Sequence, residues 1–345
     1  MPDMLAGQWP LGWSVAVLCL AGALTVACGV RLAGLGDVLA DRTGWGEALF
    51  GAVLFGLVTS LSGIVMTAVS AADAAPELAY SNAVGGIAAQ TLAVVAADAF
   101  HRRVNLEHAA ASLQNLLFGC LLTGLLGLAL MASFSPDVTA AGVHPVSFVL
   151  ILFYLGGLHL IRRNTEPMWR AVRTRETVRD VPRGEGAFSA RSTPRLWGEF
   201  AILAATVVVA GWAVTRAAEG LLSATTLRAG FVGAAVLGTV NALPETVTSI
   251  AAVRRGAVTL AFAAIIGGNC LDVLNLAVGD LAYRGGSLYH AAGDDELFLA
   301  CAALVMTTVV LGGLLVRQER GWFRLGFDGA LLVLVHAATL TILAF

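Results

Sequence analysis

Apolar residues run along this chain in segments of about 20 positions, separated by short polar clusters. A helix needs about 20 consecutive apolar residues to cross the roughly 30 Å hydrocarbon core of a bilayer. The segments predict transmembrane helices near residues 11–30, 46–71, 77–98, 108–133, 146–161, 197–217, 229–252, 257–279, 296–316 and 325–345. We therefore expect an all-α integral membrane protein with about ten transmembrane helices.

A segment of forty residues occurs twice in this pattern. Residues 51–90 match residues 233–272 at one fixed offset, with eleven identities. Because apolar composition inflates such a count, the shared glycines carry most of its weight. The copies begin in the second and seventh spans, five crossings apart, so they cross the membrane in opposite directions. This predicts two inverted five-helix repeats, residues 1–161 and 196–345, with a site near the midplane where they meet.

Composition supports the membrane assignment, because 58% of the residues are hydrophobic and only 13% are charged. The five cysteines all lie in predicted spans at no metal-ligand spacing, so we interpret them as packing residues. The N-terminal segment has no basic region, which predicts a retained first helix and not a cleaved signal peptide.

The basic residues predict the orientation in the membrane. All 21 are arginine, and with an external N-terminus 18 of them fall on the cytoplasmic side. The positive-inside rule then places both termini outside, and we expect the plasma (inner) membrane as the location. Nine arginines lie in the polar segment 162–195, which we interpret as a disordered or partly helical cytoplasmic linker between the repeats.

Each copy contains a helix interrupted by polar and helix-weakening residues. The first copy reads Thr59-Ser60-Leu61-Ser62-Gly63 and the second reads Asn241-Ala242-Leu243-Pro244-Glu245, with Gly63 and Pro244 as the helix-breaking positions. Such breaks free backbone carbonyls, which are tolerated at this depth only beside a cavity or an ion. Glu245 costs about 3 kcal/mol to insert near a span centre, so we expect it to face a functional site.

A second acid, Asp272, follows in the next predicted helix, and two acids in facing helices predict a cation site. Asn269 lies about one turn before Asp272 on the same face and adds an amide oxygen. The first copy has Gln90 at the position of Asp272 and Gly63 at the position of Glu245. Both carboxylates therefore come from the second copy, and the site is expected to be lopsided.

Three other kinds of position leave alternatives open or have simple interpretations. The hydroxyls of Thr248 and Ser249 either coordinate an ion or bond back to their own helix. The glycine pairs, which permit close helix contact, serve either packing or ion binding; they are Gly85-Gly86 and Gly267-Gly268. Asp98 and Asp280 correspond across the offset and lie at predicted helix ends, where we expect solvated side chains.

The second copy also resembles a known family. NALPETVTSIAAVRRG followed by IIGGNCLDVLNLAVGD is similar to the second alpha repeat of the sodium/calcium exchangers and the wider cation/Ca²⁺ exchanger superfamily. LADRTGWGEALFGAVLFGLVTSLSG resembles the entry to the first alpha repeat. The resemblance implies that Glu245 is the ion-binding glutamate and Asp272 a further ligand. It also implies hydroxyl ligands at Ser249, Thr59 and Ser60.

The departures from the family pattern change the expected site. The first-repeat glutamate of the family is Gly63 here, and Asn241-Ala242 replaces the Thr-Ser that precedes the second Pro-Glu. A symmetric site with two glutamates therefore cannot form. The remaining oxygen donors are the carboxylates of Glu245 and Asp272 and the neutral groups of Gln90, Thr59, Ser60, Asn241 and Asn269.

We therefore expect a secondary active cation antiporter, resembling Na⁺/Ca²⁺ or H⁺/Ca²⁺ exchangers, that works by alternating access around Glu245 and Asp272. Two carboxylates suffice for one Ca²⁺ among neutral oxygens, or for one Na⁺ and one proton. The alternatives are a monovalent Na⁺/proton exchanger without a Ca²⁺ site and a transport-incompetent structural or regulatory subunit. We expect no enzymatic activity, no cofactor and no nucleic-acid partner, only membrane lipid and small inorganic cations.

Overall fold

The computed structural model describes residues 9–43, 60–101, 105–164, 191–254, 258–318 and 326–345. This part of the chain is helical apart from turns and one isolated β-bridge between Ala140 and Val143. The helices are α1 (Leu11–Thr43), α2 (Leu61–Ala72), α3 (Pro76–Phe100), α4 (Leu106–Ala110), α5 (Leu113–Ser133), α6 (Pro145–Arg163), α7 (Thr193–Ala224), α8 (Ala229–Arg254), α9 (Val258–Ala282), α10 (Leu288–Ala291), α11 (Asp294–Val316) and α12 (Phe327–Ala344).

Nine helices in the described ranges are long and apolar enough to cross a membrane, which makes the chain an integral membrane protein. These are α1, α3, α5 to α9, α11 and α12. The remaining predicted span, residues 46–71, corresponds to α2, which has 12 described residues. Residues 44–59, which precede α2, lie outside the described residues, as do residues 165–190 of the predicted linker.

Helix starts repeat along the chain at one constant spacing. Three pairs of equivalent helices, α1 and α7, α4 and α10, and α6 and α12, each begin 182 positions apart. Their first residues are Leu11 and Thr193, Leu106 and Leu288, and Pro145 and Phe327. The offset found in the forty-residue motif therefore extends through the described helices of both halves without a net insertion.

The equivalent helices α3 and α9 form the centre of the fold and run antiparallel where they cross. Gln90 contacts Asp272, whereas Thr91, one position later, contacts Asn269, three positions earlier. A step forward along one helix is thus a step backward along the other. About 72% of each of these spans is buried, the largest share among the nine. The two halves therefore have opposite topology and meet along this helix pair.

The peripheral helices present large apolar side chains outward. Leu20 on α1, Leu152 on α6, Ile202 on α7 and Leu334 on α12 are each at least 65% exposed. In a soluble protein, contiguous surfaces of this kind are avoided, but a bilayer is an apolar solvent for them. The lipid-facing surface therefore lies on these outer helices, and the polar residues are concentrated around α3 and α9.

The prediction that Asp98 and Asp280 are solvated is wrong, because both side chains are buried. Asp98 Oδ1 accepts a hydrogen bond from the N–H of Leu106 (2.6 Å), and Asp280 Oδ1 accepts one from the N–H of Leu288 (2.9 Å). Leu106 and Leu288 begin α4 and α10, so each acid satisfies a backbone donor at the start of a short helix. The chain folds back over each carboxylate. The position of these residues at predicted helix ends does not indicate this burial.

The Asp280→Ala substitution is expected to lower the free energy of unfolding by at least about 3 kcal/mol. Asp280 Oδ2 also accepts from the N–H of His144 and the hydroxyl of Ser147, both at 2.7 Å. Three buried donors would lose their acceptor, at about 1–3 kcal/mol for each one left unsatisfied. Chemical denaturation in detergent measures the change. The control is Asp137→Ala, at a carboxylate that is 62% exposed, and parental stability of Asp280→Ala would contradict this capping role.

Candidate functional site

A layer of buried polar side chains crosses the centre of the molecule, where α2, α3, α8 and α9 meet. Its members are almost completely buried and comprise Ser60, Ser62, Gln90, Asn241, Glu245, Ser249, Asn269, Asp272 and Asn275. On α8 they recur every fourth residue, at Asn241, Glu245 and Ser249, and so share one helix face. Polar and ionisable groups at this depth are costly and mark functional sites by default.

Asp272 lies at the middle of this layer and accepts hydrogen bonds from three amide groups. The donors are Gln90 Nε2 to Oδ2 (2.6 Å), Asn275 Nδ2 to Oδ1 (3.2 Å) and Asn241 Nδ2 to Oδ2 (3.5 Å). The hydroxyl of Ser60 lies close to the same carboxylate. A buried carboxylate without such partners is strongly unfavourable, so the amides offset the charge of Asp272.

The contact between Gln90 and Asp272 joins equivalent positions of the two halves, since the residues are 182 apart. Two equivalent residues touch directly only on the axis that relates the halves. This hydrogen bond therefore marks the point where the pseudo-two-fold axis passes through the site. The carboxylate is on one side of the axis and the neutral amide on the other.

The side chain of Asn241 fills the space that a side chain at residue 63 would occupy. A Cβ atom at Gly63 would lie 2.5 Å from Asn241 Oδ1, and one at Gly86 would lie 2.7 Å from Asn241 Nδ2. Ser62 Oγ donates a hydrogen bond to Asn241 Oδ1 (3.3 Å). The Asn241 side chain therefore requires glycine at position 63. Its amide lies where the glutamate of the family pattern, at position 63, would place its side chain.

Several oxygen atoms around this layer have no hydrogen-bond partner among the described residues. They are Gln90 Oε1, Asn269 Oδ1 and Ser249 Oγ, and all three side chains are buried. Asn269 orients its Nδ2 towards Thr91 Oγ1 (3.1 Å). Carbonyl, carboxylate and hydroxyl oxygens are the ligands of hard cations such as Ca²⁺, so this donor set fits a cation.

The hydroxyls of Thr248 and Ser249, on the turn after Glu245, differ in their hydrogen bonding. Thr248 Oγ1 donates to the backbone carbonyls of Pro244 (2.9 Å) and Glu245 (3.0 Å), so its hydroxyl bonds back to its own helix. Ser249 does not show such a bond within the described ranges and lies one turn after Glu245 on the buried face. Of the two, Ser249 is the hydroxyl that is available to the site.

The glycine pairs also differ from each other. A Cβ at Gly85 would lie 2.5 Å from the Cα of Ala234, so the backbones of α3 and α8 are in contact there. Ala234 belongs to a π-helical turn of α8, Val232–Leu237. At Gly267 and Gly268 the nearest atoms are 3.8 Å and 3.4 Å away, which is ordinary contact. Close packing therefore requires glycine in the first pair only.

The structure leaves one predicted ligand outside the described residues and adds others. Thr59 precedes the described part of α2. Asn275 and Asn82 were not predicted, although both are buried amides in apolar helices. The spacing argument that selected Asn269 also applies to Asn275, which lies three positions from Asp272. The predicted helix break at Pro244 is not observed, because the α-helical part of α8 continues through this residue from Gly238 to Arg254. Pro244 packs against α1, where a Cβ at Gly29 would lie 2.9 Å from the Cβ of Pro244.

A separate pair of buried acids, Glu107 and Asp328, lies at one end of the helices. Burial, and then the Asp328 carboxylate, raise the pKa of Glu107 well above its usual range, which favours its protonated form.

Across the described ranges, no group of three or more His, Cys, Asp or Glu side chains is arranged to hold a metal ion. A cation at the central site would therefore depend on neutral oxygens in addition to carboxylates.

Known proteins share this architecture. The structure of native YfkE has a TM-score of 0.66 at 12% identity, covering 99% of this chain and 96% of that one. The H⁺/Ca²⁺ exchanger CAX has a TM-score of 0.67 at 13% identity, covering 97% and 86%. The sodium-calcium exchanger NCX_Mj has a TM-score of 0.60 at 16% identity, covering 95% and 97%. At these identities the likeness shows the fold alone.

Sequence comparison identifies the family. A comparison with curated proteins finds no significant match. The profile of the sodium/calcium exchanger protein family, however, matches residues 13–161 and 195–345. These two ranges are the two inverted halves described above, and together they cover most of the chain. The chain therefore belongs to the sodium/calcium exchanger protein family.

Proposed function

We propose that the protein is a secondary active antiporter that exchanges Ca²⁺ for Na⁺ or H⁺ by alternating access. Its family is one of cation exchangers, and two proteins with the same fold are a H⁺/Ca²⁺ exchanger and a sodium-calcium exchanger. The observation that supports the proposal most is Asp272, a completely buried carboxylate on the axis between two inverted halves. In transporters with inverted repeats, this is where the substrate binds.

The amide groups around Asp272 can present either a hydrogen-bond donor or an oxygen ligand to a neighbouring atom. In the structure, Gln90, Asn241 and Asn275 direct their NH₂ groups to the carboxylate. A half-turn of an amide exchanges its NH₂ group for its oxygen within the same volume. We propose that Ca²⁺ takes the place of these NH₂ groups, and that Gln90 and Asn241 then turn their oxygens towards it.

Glu245 supplies the second negative charge of the proposed site, with Asn269, Ser249 and Ser60 as further oxygen donors. Ca²⁺ accepts six to eight oxygens in flexible geometry, so a mixed set of charged and neutral ligands is suitable. Competition follows from electrostatics, because a buried carboxylate favours a proton and a bound cation displaces that proton. The region of Thr59 is proposed as part of the same site from its equivalence to Asn241.

We further propose that both termini are outside the cell membrane and that residues 162–195 form a cytoplasmic linker between halves 1–161 and 196–345. The distribution of arginines supports this orientation. The ends of the flanking helices support the boundaries, because α6 ends at Arg163 and α7 begins at Thr193. The plasma (inner) membrane is the proposed location.

Transport by the purified protein in liposomes tests this function. Radiolabelled Ca²⁺ is expected to enter the vesicles when an outward Na⁺ or proton gradient is imposed, and uptake is expected to stop when an ionophore removes that gradient. The effective gradient identifies the counter-ion. Proton movement coupled to Na⁺ with no response to Ca²⁺ would establish the monovalent exchanger instead. Folded protein that moves none of these cations would indicate a subunit without transport activity.

A further inference from the structure

We propose that Glu107 and Asp328 form a proton-binding site at one end of the helices, and that the proton shared by their carboxyl groups holds α4 against α12. This is the end at which α6 ends and α7 begins, proposed above as cytoplasmic. The site goes beyond the transport function and does not depend on it, because neither residue belongs to the central layer. Both side chains are buried, with 3% and 2% exposed.

The Asp328 side chain is enclosed where α12 begins. A Cβ atom at Gly313 on α11, or at Gly326, would contact its carboxylate oxygens. Glycine at these two positions therefore leaves the space that the carboxylate fills. Glu107, in the first turn of α4, lies within hydrogen-bond distance of the same carboxylate. The two acids thus meet in a space that is bounded by α4, α11 and α12.

The contact between the two acids requires a proton. Carboxylate oxygens only accept hydrogen bonds, so two carboxyl groups bond to each other only when one of them is protonated. Glu107 Oε2 and Asp328 Oδ2 have no hydrogen-bond donor among the described residues. Two buried negative charges in contact are strongly unfavourable, and other pairs of acids share one proton for this reason. A single proton supplies the missing donor and removes one of the charges.

We assign this proton to Glu107. Asp328 lies in the first turn of an 18-residue helix, whose dipole favours a negative charge there, whereas α4 has only five residues. The buried Asn105 Nδ2 has no acceptor among the described residues, and it lies 3.0 Å from the Cβ position at Gly326 that Asp328 Oδ1 also contacts. Burial, and then the Asp328 carboxylate, raise the pKa of Glu107 to about 8.

The surrounding side chains do not offset the pair with positive charge. Asp98 on α3 also acts on Glu107 and raises its pKa further. His108 on α4 directs its Nδ1 to the backbone carbonyl of Arg317 (2.8 Å). The adjoining parts of α9 and α11, residues 258–266 and 307–316, contain no titratable side chain. The other described basic or titratable groups at the adjoining helix ends are His101, Arg254 and Arg317, and none of them acts on the pKa of Glu107.

The opposite end of the molecule shows that the fold does not need an acid pair. The short helices α4 and α10 are equivalent, and an aspartate caps each of them, as described above. At the positions of Glu107 and Asp328, however, the second short helix has Tyr289 and its neighbour has Val146. The Tyr289 hydroxyl lies 3.0 Å from Ser147 Oγ, which is a neutral partner. The acid pair is therefore particular to one end and makes that end responsive to pH.

Loss of the proton would place two negative charges in one enclosed space. Their repulsion is large in a low-dielectric interior, and it is relieved when α4 separates from α12 and water enters. Because α4 joins α3 to α5, a rise in pH on this side loosens that connection, and a fall in pH tightens it.

Thermal unfolding of the purified full chain in detergent, at about pH 5.5 and about pH 8.5, tests the site. Between about pH 4, where glutamate titrates in an unfolded chain, and about pH 8, the folded protein holds a proton that the unfolded chain has lost. Its stability therefore falls as the pH rises through this window. Glu107→Gln is neutral throughout, so its Tm relative to the parent is expected to be higher by at least about 3 °C at the upper pH than at the lower.

Infrared spectroscopy of the same proteins detects the proton itself. At about pH 7, where exposed carboxyl groups are ionised, the parent is expected to show a C=O stretching band of a protonated carboxylic acid that Glu107→Gln lacks. In Asp328→Asn this band is expected to disappear at a pH at least about one unit lower than in the parent, because the neighbouring charge is gone. The control is Asp137→Asn, at a carboxylate that is 62% exposed, which is expected to leave the band and the Tm difference unchanged.

Two results would overturn the site. One is a Tm difference between Glu107→Gln and the parent that is equal at both pH values, and the other is a parent spectrum without a band that depends on Glu107. If Glu107→Gln does not fold, Asp328→Asn decides the question, since an unchanged pH for the loss of the band would refute a shared proton. None of these measurements uses transport, so uptake into liposomes tests the antiport activity separately.

Discussion

Glu245→Gln and Asp272→Asn are each expected to reduce gradient-driven Ca²⁺ uptake into liposomes by at least about 100-fold, with the fold retained. Each substitution keeps the shape of the side chain and removes one of the two negative charges that would offset a divalent ion. Loss of one charge from a buried site is worth more than the roughly 2.8 kcal/mol that corresponds to 100-fold. Initial uptake rates, measured at equal protein content, report the effect.

The control for both variants is Asp137→Asn, which changes a largely exposed carboxylate that is not part of the central layer. We expect this protein to transport at the parental rate. Size-exclusion profiles in detergent establish that each variant is folded. A Glu245→Gln protein that moves Ca²⁺ as fast as the parent would refute the mechanism proposed for this site.

Gly85→Ala is expected to destabilise the protein by about 3 kcal/mol or more. The added methyl group would lie 2.5 Å from the Cα of Ala234, and Ala234 is backbone that belongs to the π-helical turn of α8. Only a movement of the helices relieves such a contact, and overpacking of this kind costs about 1–3 kcal/mol or more. The Tm in detergent and the yield of monodisperse protein measure the loss.

Gly127→Ala on α5 is the matched control for Gly85→Ala. No atom lies within 4 Å of a Cβ at Gly127 in the described part of the chain, and alanine is preferred to glycine in a helix interior by about 1 kcal/mol. We therefore expect equal or higher stability for Gly127→Ala. Parental stability of Gly85→Ala would show that α3 and α8 separate at little cost.

Much of the fold was predictable because a membrane restricts what a chain can form. A span needs a minimum apolar length, and the offset between the two copies, together with an odd number of crossings, determines their inverted relation. The central contact was predictable in the same way. Gln90 and Asp272 are equivalent positions, and equivalent positions near an axis of symmetry lie close together.

Contacts made across helices were not predictable from spacing. The sequence indicates that Gly63 lacks a side chain, but not that Asn241 from the other half enters that space. Nor does it indicate that Asp98 and Asp280 are covered by the segments that follow them. Helical periodicity tells which residues share a face, and only packing tells which atoms lie opposite that face. For this reason Asn82 and Asn275 were missed.

The hydrogen bond between Gln90 and Asp272 has a consequence for how the transporter changes state. When two inverted halves exchange their conformations, every contact between them is replaced by its symmetry mate. The contact of Ser62 with Asn241, for example, maps onto Pro244 and residue 59, and proline has no hydroxyl to donate. A bond between two equivalent residues maps onto itself. In the alternating-access mechanism proposed above, the contact between Gln90 and Asp272 is therefore expected in both the inward-open and the outward-open form.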